Sequence, residues 1–353
     1  MAYELCADRV LGGRPEPGSL ASFGGQRCHP PGLRIKSITA LPGDESMASC
    51  SRVELRGNLA LLSMRDGLLI FDISNARRPR LVAHAAQRDM NRMVLDGSCA
   101  FLLSNSGREE PELLVFNLAR VEKPKLVSRN SLQEERVDTL AAAERRLWLA
   151  GESLNLYEVD GLCRVRHLAK LEPRDEETGF EHVAALGRQL FVLDEGTGEL
   201  MAIGHGPSLG LRVLQRIRPA EDEEWSGIQS FARRLWLKSH SSFVVYGYLG
   251  SSQLSPLGRI GSVCDQCAGT NRSTLCLSDG DFEWIDMVGG GGPPRLRMES
   301  TDAEDAPKPK PSENPTESFL DALLSHGLQA GTTDGRHLYL VVEDQGLVIL
   351  EGC

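Results

Sequence analysis

A pattern of four short strands that recurs every forty-odd residues constrains this chain more than any other feature. The apolar stretch "LLIFDI" at Leu68 returns as "LLVFNL" (Leu113), "LNLYEV" (Leu154), "LMAIGH" (Leu200), "FVVYGY" (Phe243), "FEWIDM" (Phe282) and "LVILEG" (Leu347). Successive copies start 45, 41, 46, 43, 39 and 65 residues apart. A second apolar stretch precedes each copy, from "LALLSM" at Leu59 to "HLYLVV" at His337. Turn signals such as Gly57-Asn58, Gly97-Ser98 and Gly335-Arg336 stand before most of these, as tight hairpins require. A weaker strand precedes the turn ("RVEL" at Arg52, "HVAAL" at His182), and a fourth follows a proline ("RPRLVAHA" from Arg78, "KPKLVSR" from Lys123).

Four antiparallel strands per unit at this period predict propeller blades. One such sheet cannot bury both faces, whereas sheets stacked around an axis bury them against each other. The apolar runs lack a 3.6-residue period, which excludes helical solenoids. The expectation is an all-β, seven-bladed β-propeller of four-stranded antiparallel blades. The last unit stops after its third strand, and "CHPPGLRIKSI" from Cys28 matches the fourth-strand segment "NARRPRLVAHA", with Pro31 at the place of Pro79. The N-terminal strand is therefore expected to close the last blade. Residues 1–27 read as an N-terminal extension and 28–353 as the propeller. Residues 299–326 read as an insertion, disordered where it is rich in proline and charge, then helical at "PTESFLDALLSH".

The net charge of −10 argues against binding nucleic acid through its phosphates. No apolar run approaches the ~18 residues of a membrane span. The start "MAYELCADRVLGG" has neither a basic nor an apolar leader region, so no signal peptide is read there.

The stretches "GNLALLSMRDGLLIFDISNARRPRLV" and "GSCAFLLSNSGREEPELLVFNLARVEKPKLV" resemble the LVIVD-repeat β-propeller family, as does "DGRHLYLVVEDQGLVILE". The middle repeats depart from it, with Glu158, His205 or Tyr248 where the first has Asp72. The resemblance implies a fold, not a chemistry, and a bacterial surface or secreted protein. An extracytoplasmic home is thereby slightly favoured.

Connectivity places the first–second and third–fourth strand turns of every blade on one face. That face collects Arg56, Arg77, Arg78, Lys123, Arg145 and Arg146, while Glu109-Glu110, Glu172 to Glu177 and Glu221 to Glu224 fall on the other. One basic and one acidic face are expected, able to steer a protein partner or to stack discs head to tail. Arg52, Arg92, Arg136 and His182 align at the start of four innermost strands, as a cationic arc for an anion at the channel mouth, or as partners of the adjacent acidic loops.

The nine cysteines are an odd number. Cys264 and Cys267, with Cys276 beyond, read as a local disulfide, free thiols, or a metal or redox pair. Four zinc ligands do not gather there, and no metal is assigned. Aligning the units brings Cys28 and Cys353 to either side of the break in the last blade, where a disulfide would lock closure in an oxidising compartment; the alternative is two free thiols. No nucleophile elbow, phosphate loop or HExxH motif occurs, so no catalytic residue and no cofactor is assigned. The expectation is a non-catalytic protein-binding scaffold with an unidentified partner. The alternative is a propeller enzyme or small-anion binder working at the channel mouth.

Overall fold

The computed structural model describes residues 34–42, 50–87, 90–104, 111–132, 137–173, 179–187, 189–194, 196–206, 210–220, 223–231, 234–239, 242–248, 254–261, 266–269, 273–278, 281–286, 328–334, 336–343 and 345–351, with backbone alone from 260 to 286. β1 (Arg34–Thr39) comes first in the chain. β2 (Cys50–Arg56), β3 (Leu59–Met64), β4 (Gly67–Asp72) and β5 (Arg80–Ala86) then form a four-stranded antiparallel sheet in that order. The same meander repeats in β6 (Met90–Asp96), β7 (Cys99–Ser104), β8 (Glu112–Asn117) and β9 (Lys125–Ser131). It repeats again in β10 (Val137–Ala143), β11 (Arg146–Gly151), β12 (Leu154–Val159) and β13 (Val165–Leu171). Two more copies follow: β14 (Phe180–Leu186), β15 (Gln189–Asp194), β16 (Leu200–Gly206), β17 (Gly210–Ile217), and β18 (Trp225–Phe231), β19 (Arg234–Ser239), β20 (Ser242–Tyr248), β21 (Leu254–Gly261). β22 (Gln266–Gly269), β23 (Ser273–Ser278) and β24 (Asp281–Asp286) make a sheet of only three strands. β25 (Leu328–Thr333), β26 (His337–Val342) and β27 (Gly346–Glu351) are completed by β1, in the order β1-β27-β26-β25.

The expected seven four-stranded blades are thus corrected to six. The unit around "FEWIDM" supplies three paired strands, and among the described residues no fourth strand pairs with β24. The chain after β24 reads Gly289-Gly290-Gly291-Gly292-Pro293-Pro294, a composition poor in strand formers. The expected insertion at 299–326 and the extension at 1–27 lie outside the described residues.

The innermost strands touch in succession: β2 with β6, β6 with β10, β10 with β14, β14 with β18, β18 with β22, β22 with β25 and β25 with β2. Apolar cores fill the spaces between adjacent blades. Leu62, Phe71 and Val53 pack on Tyr339, Val341 and Ile349, while Trp148 and Leu156 pack on Phe180, Val192 and Ile203. The second and third strands are buried on both sides (all but Leu59 in β3 and all but Asp72 in β4), whereas outer β5 is half exposed. This explains why the two inner apolar stretches dominate the sequence pattern.

Two β-bulges recur at fixed places. Every described first strand of the six four-stranded blades slips register after its first residue, passing over Ser51, Asn91, Asp138, Glu181, Ser226 and Gln329. Every outer strand of these blades slips midway, for example between Ile70 and Phe71 in the β4–β5 pair and between Ile35 and Ser37 in the β1–β27 pair. Bulges raise local twist, which lets flat hairpins adopt the strong inner-to-outer rotation of a blade. Bulged residues also bridge blades: Gln329 Oε1 accepts from Cys50 N at 2.8 Å, and Ser51 Oγ donates to Met90 O at 3.4 Å.

The glycine that opens the third strand has a steric cause. Gly67 (φ 152°) and Gly346 (φ 90°) lie where the outer strand crosses closely. A Cβ would stand 2.5 Å from Ala85 O at the first and 2.3 Å from Thr39 O at the second. Only glycine fits such positions, which accounts for "GLLIFD" and "GLVILE".

Among the described residues a disulfide, Cys99–Cys163, joins the start of β7 to the β12–β13 turn of the next blade, 64 residues away. Replacing both cysteines by alanine should lower the unfolding free energy by about 4 kcal/mol in the chain-entropy account, read by denaturant unfolding. A reductant should act likewise on the wild type and leave the double variant unchanged; a wild type indifferent to reductant would contradict the bond.

Candidate functional site

The turn face is built by repeated local devices. Asp72, the acid that ends "LLIFD", accepts from Ser74 N at 2.9 Å, and Asn117 accepts from Ala119 N at 2.8 Å. These Asx turns cap the third strand and set the turn that follows. Glu158 is a methylene too long for the same loop, and the role passes to Asp160, whose Oδ1 accepts from Leu162 N and Arg164 N. The Ser74 hydroxyl and N–H hold the Asp72 carboxyl below the usual range. The Arg164 and Leu162 N–H groups do the same for Asp160.

The first–second hairpin of the third blade is tighter still. Glu144 (φ 50°) and Arg145 (φ 62°) both adopt the left-handed conformation without glycine, a strain of order 1–3 kcal/mol each. It is held from the neighbouring blade, where Asp96 Oδ2 accepts from Arg145 N at 2.6 Å. The guanidinium of Arg56 likewise reaches across to Leu118 O at 3.2 Å.

These devices fix a set of exposed cations on one face. Arg77, Arg78, Arg120, Lys123 and Arg145 are all exposed on turns of this face. On the other face, several described acids are taken up by neighbouring arginines, while Glu152, Glu224 and Glu343 are exposed. Glu112 pairs with Arg129 at 2.8 Å, Glu223 with Arg259 at 2.8 Å, and buried Glu199 with Arg216 at 2.9 Å and Arg218 at 2.6 Å. Much of the acidic sequence (109–110, 174–177 and 221–222) lies outside the described residues.

Arg52, Arg92 and His182 occupy the same register position, the first residue after the bulge in β2, β6 and β14. Arg136 lies outside the described residues, and the equivalent position in β10 is held by buried Thr139. Counting along "EERVD" cannot reveal this slip, because the bulge sets the register. Arg52 pairs with Glu54 at 2.9 Å. Arg92 reaches solvent but stands against the ring wall: partial desolvation, then the like charge of Arg52, lowers its pKa, while Asp138 opposes the shift. His182 is half-buried and already engaged within the protein.

Cys28, Cys353 and Cys264 lie outside the described residues; Cys267 sits opposite Cys276 in the β22–β23 register. Cys50 is buried and free, and burial pushes its thiol up to about 12. The Cys99–Cys163 bond went unread in the sequence. Its signal was available: Cys99 opens a second strand and Cys163 sits in the third–fourth turn of the next unit, ends that meet on the turn face.

The closing sheet carries a polar network at the same face. Glu351 at the end of β27 pairs with Lys36 of β1 and with Arg336, whose Nη2 lies 2.8 Å away. Asp334 Oδ1 accepts from Arg336 N and His337 N, and its Oδ2 accepts from Tyr339 Oη at 2.9 Å. Burial and that carboxylate raise the Tyr339 phenol, and Lys36, then Arg336, hold Glu351 down to about 2.

No protein-family model matches the chain, and no curated protein matches it by sequence. Solved structures do. The β-propeller domain of Cps50 (Swd1) from Myceliophteria thermophila aligns with a TM-score of 0.62 at 10% identity, over 91% of this chain and 100% of that one. This chain is a β-propeller. A functionally unknown protein from Desulfotomaculum acetoxidans aligns at 0.54 and 9% identity, over 72% and 90% of the two chains. PorZ of Porphyromonas gingivalis, a bacterial surface component of the type-IX secretion system, aligns at 0.54 and 10% identity, over 87% of this propeller and 37% of PorZ. At such identities the likeness is one of fold. Among the described residues no helix is long and apolar enough to cross a membrane.

The Glu351 network yields a pH dependence. Its carboxyl is depressed from 4.5 to about 2, so its contribution is fully present above pH 4.5 and is lost as pH falls towards 2. The urea midpoint of the wild type should exceed that of Glu351→Gln at neutral pH, and the two should converge near pH 2. A gap that persists undiminished at pH 2 would contradict the ion-pair account.

Proposed function

We propose that this propeller is a non-catalytic protein-binding scaffold whose basic turn face recognises an acidic partner. The observation that carries the reading is the fixing of exposed Arg77, Arg78, Arg120, Lys123 and Arg145 on turns held by Asx bonds and by contacts between blades. Such cations bind with little further ordering, and they outnumber the exposed acids of the same turns, Glu122, Glu144 and Asp160, so the field speeds encounter with an acidic surface. The strained Glu144–Arg145 hairpin supports it, because strain of this kind gathers at working surfaces. The acidic runs of the sequence, which connectivity assigns to the opposite face, make a second copy of the chain one such partner, through stacking of opposite faces. The LVIVD-like repeats and the buried Cys99–Cys163 bond support an extracytoplasmic home, since such bonds persist in oxidising compartments.

A second reading, capture of a small anion at the inner-strand ends, is favoured by one observation: Arg52 and Arg92 hold the same register position on neighbouring inner strands, with like charges. An anion between them would relieve that repulsion.

Capture from host extract on the immobilised protein tests the first reading. The retained proteins should be acidic and should be released as salt rises to physiological strength, where the Debye length falls to about 8 Å. Arg78→Glu/Arg120→Glu/Lys123→Glu should retain none of them. A retained set indifferent to both salt and charge reversal would contradict it.

A further inference from the structure

On the basic face a concave point lies where the closing sheet meets the β2–β5 blade. A cavity of about 430 Å³ opens there, walled by Lys36, Arg336, His337 and Glu351 on one side and by the Ser74–Arg77 turn on the other. Three cations and one carboxylate line it, so with His337 neutral the lining carries a net charge of +2.

The floor is preorganised. Arg336 gives Nε and Nη2 to Glu351 Oε1 at 3.1 and 2.8 Å, which leaves its Nη1 uncommitted to that carboxylate. Asp334 pins the Arg336 and His337 backbone at 2.8 and 2.7 Å and meets His337 Nδ1 at 3.2 Å. The opposite wall is fixed too. Asn75 Oδ1 accepts from Arg77 N at 3.0 Å, and Ser37 Oγ of β1 donates to Ala76 O at 2.7 Å. Arg77 is exposed, and among the described residues its guanidinium has no ion-pair partner.

We propose that this cavity receives a carboxylate side chain from an acidic segment of a protein partner, with Arg77 as its principal ligand and Lys36 and Arg336 as a positively biased floor. Glu351 already shows how the floor holds a carboxylate, with a lysine on one oxygen and an arginine fork on the other. A second carboxylate entering from the open side meets the planar donors of Arg77. Neighbouring Arg78 extends the attraction along the face, which suits a run of acids on a chain better than an isolated ion. The assignment rests on the reading of the basic face as a binding surface and names its anchor point.

Fluorescence anisotropy with a labelled hexaglutamate peptide tests it on the full chain at low ionic strength. Arg77→Ala should weaken binding about tenfold, the loss of one well-placed charged contact. Arg120→Ala, a cation of the same face outside the cavity, should weaken it only about twofold, as an exposed charge does. Arg65→Ala, on the opposite face, should leave it unchanged. Equal losses for Arg77→Ala and Arg120→Ala would overturn the cavity and leave the surface reading standing; no binding by the wild type would overturn both. Displacement of the peptide by inorganic phosphate far beyond chloride of matched ionic strength would show a small-ion site and overturn the peptide assignment. Near-UV circular dichroism of each variant confirms that the fold is kept.

Discussion

The antiparallel pairing of β1 with β27 is the contact on which the remaining architecture depends. Each blade buries its broad faces only against neighbours, so an open end would expose apolar side chains such as Tyr339, Val341 and Ile349. Bringing the beginning and end of the chain into one sheet removes that end. The closure is reinforced where it is most at risk. Gly346 lets Thr39 O approach to a distance that excludes a Cβ, Lys36 reaches Glu351, and Ser37 bonds to the adjacent blade. The same ties leave the charged cavity at the seam, so closure and the proposed anchor point share residues.

Rigidity between blades comes from side chains at repeated positions. The first-strand bulges aim Ser51 and Gln329 across the gap to the next inner strand, and Asp96 supports a strained turn in its neighbour. Cys99 and Cys163 add a covalent tie on the turn face. A surface assembled in this way presents its cations from fixed backbone, which reduces the ordering that recognition would otherwise cost.

Much of this was legible in the sequence, because the second and third strands are buried on both faces and read as uninterrupted apolar runs. Asp72 stands out in the repeat because it makes an Asx cap. The outer strand was less legible, since its half-exposed residues alternate weakly, and counting blades from inner strands alone gave seven where six have four strands. The arc of Arg52, Arg92 and His182 keeps a common register position, whereas Arg136 was aligned without knowledge of the bulge that puts Thr139 there. The seam cavity was not legible at all: Lys36, Arg77 and Glu351 come from distant parts of the chain and meet only through closure.

Native-state amide hydrogen exchange resolved to peptides covering β1, β26 and β27 tests the closure most directly. If β1 completes the sheet, its amides exchange with the same protection as those of β26 and β27, and all three lose protection together in mild denaturant. Rapid exchange across residues 34–39 while β26 and β27 stay protected would contradict the account.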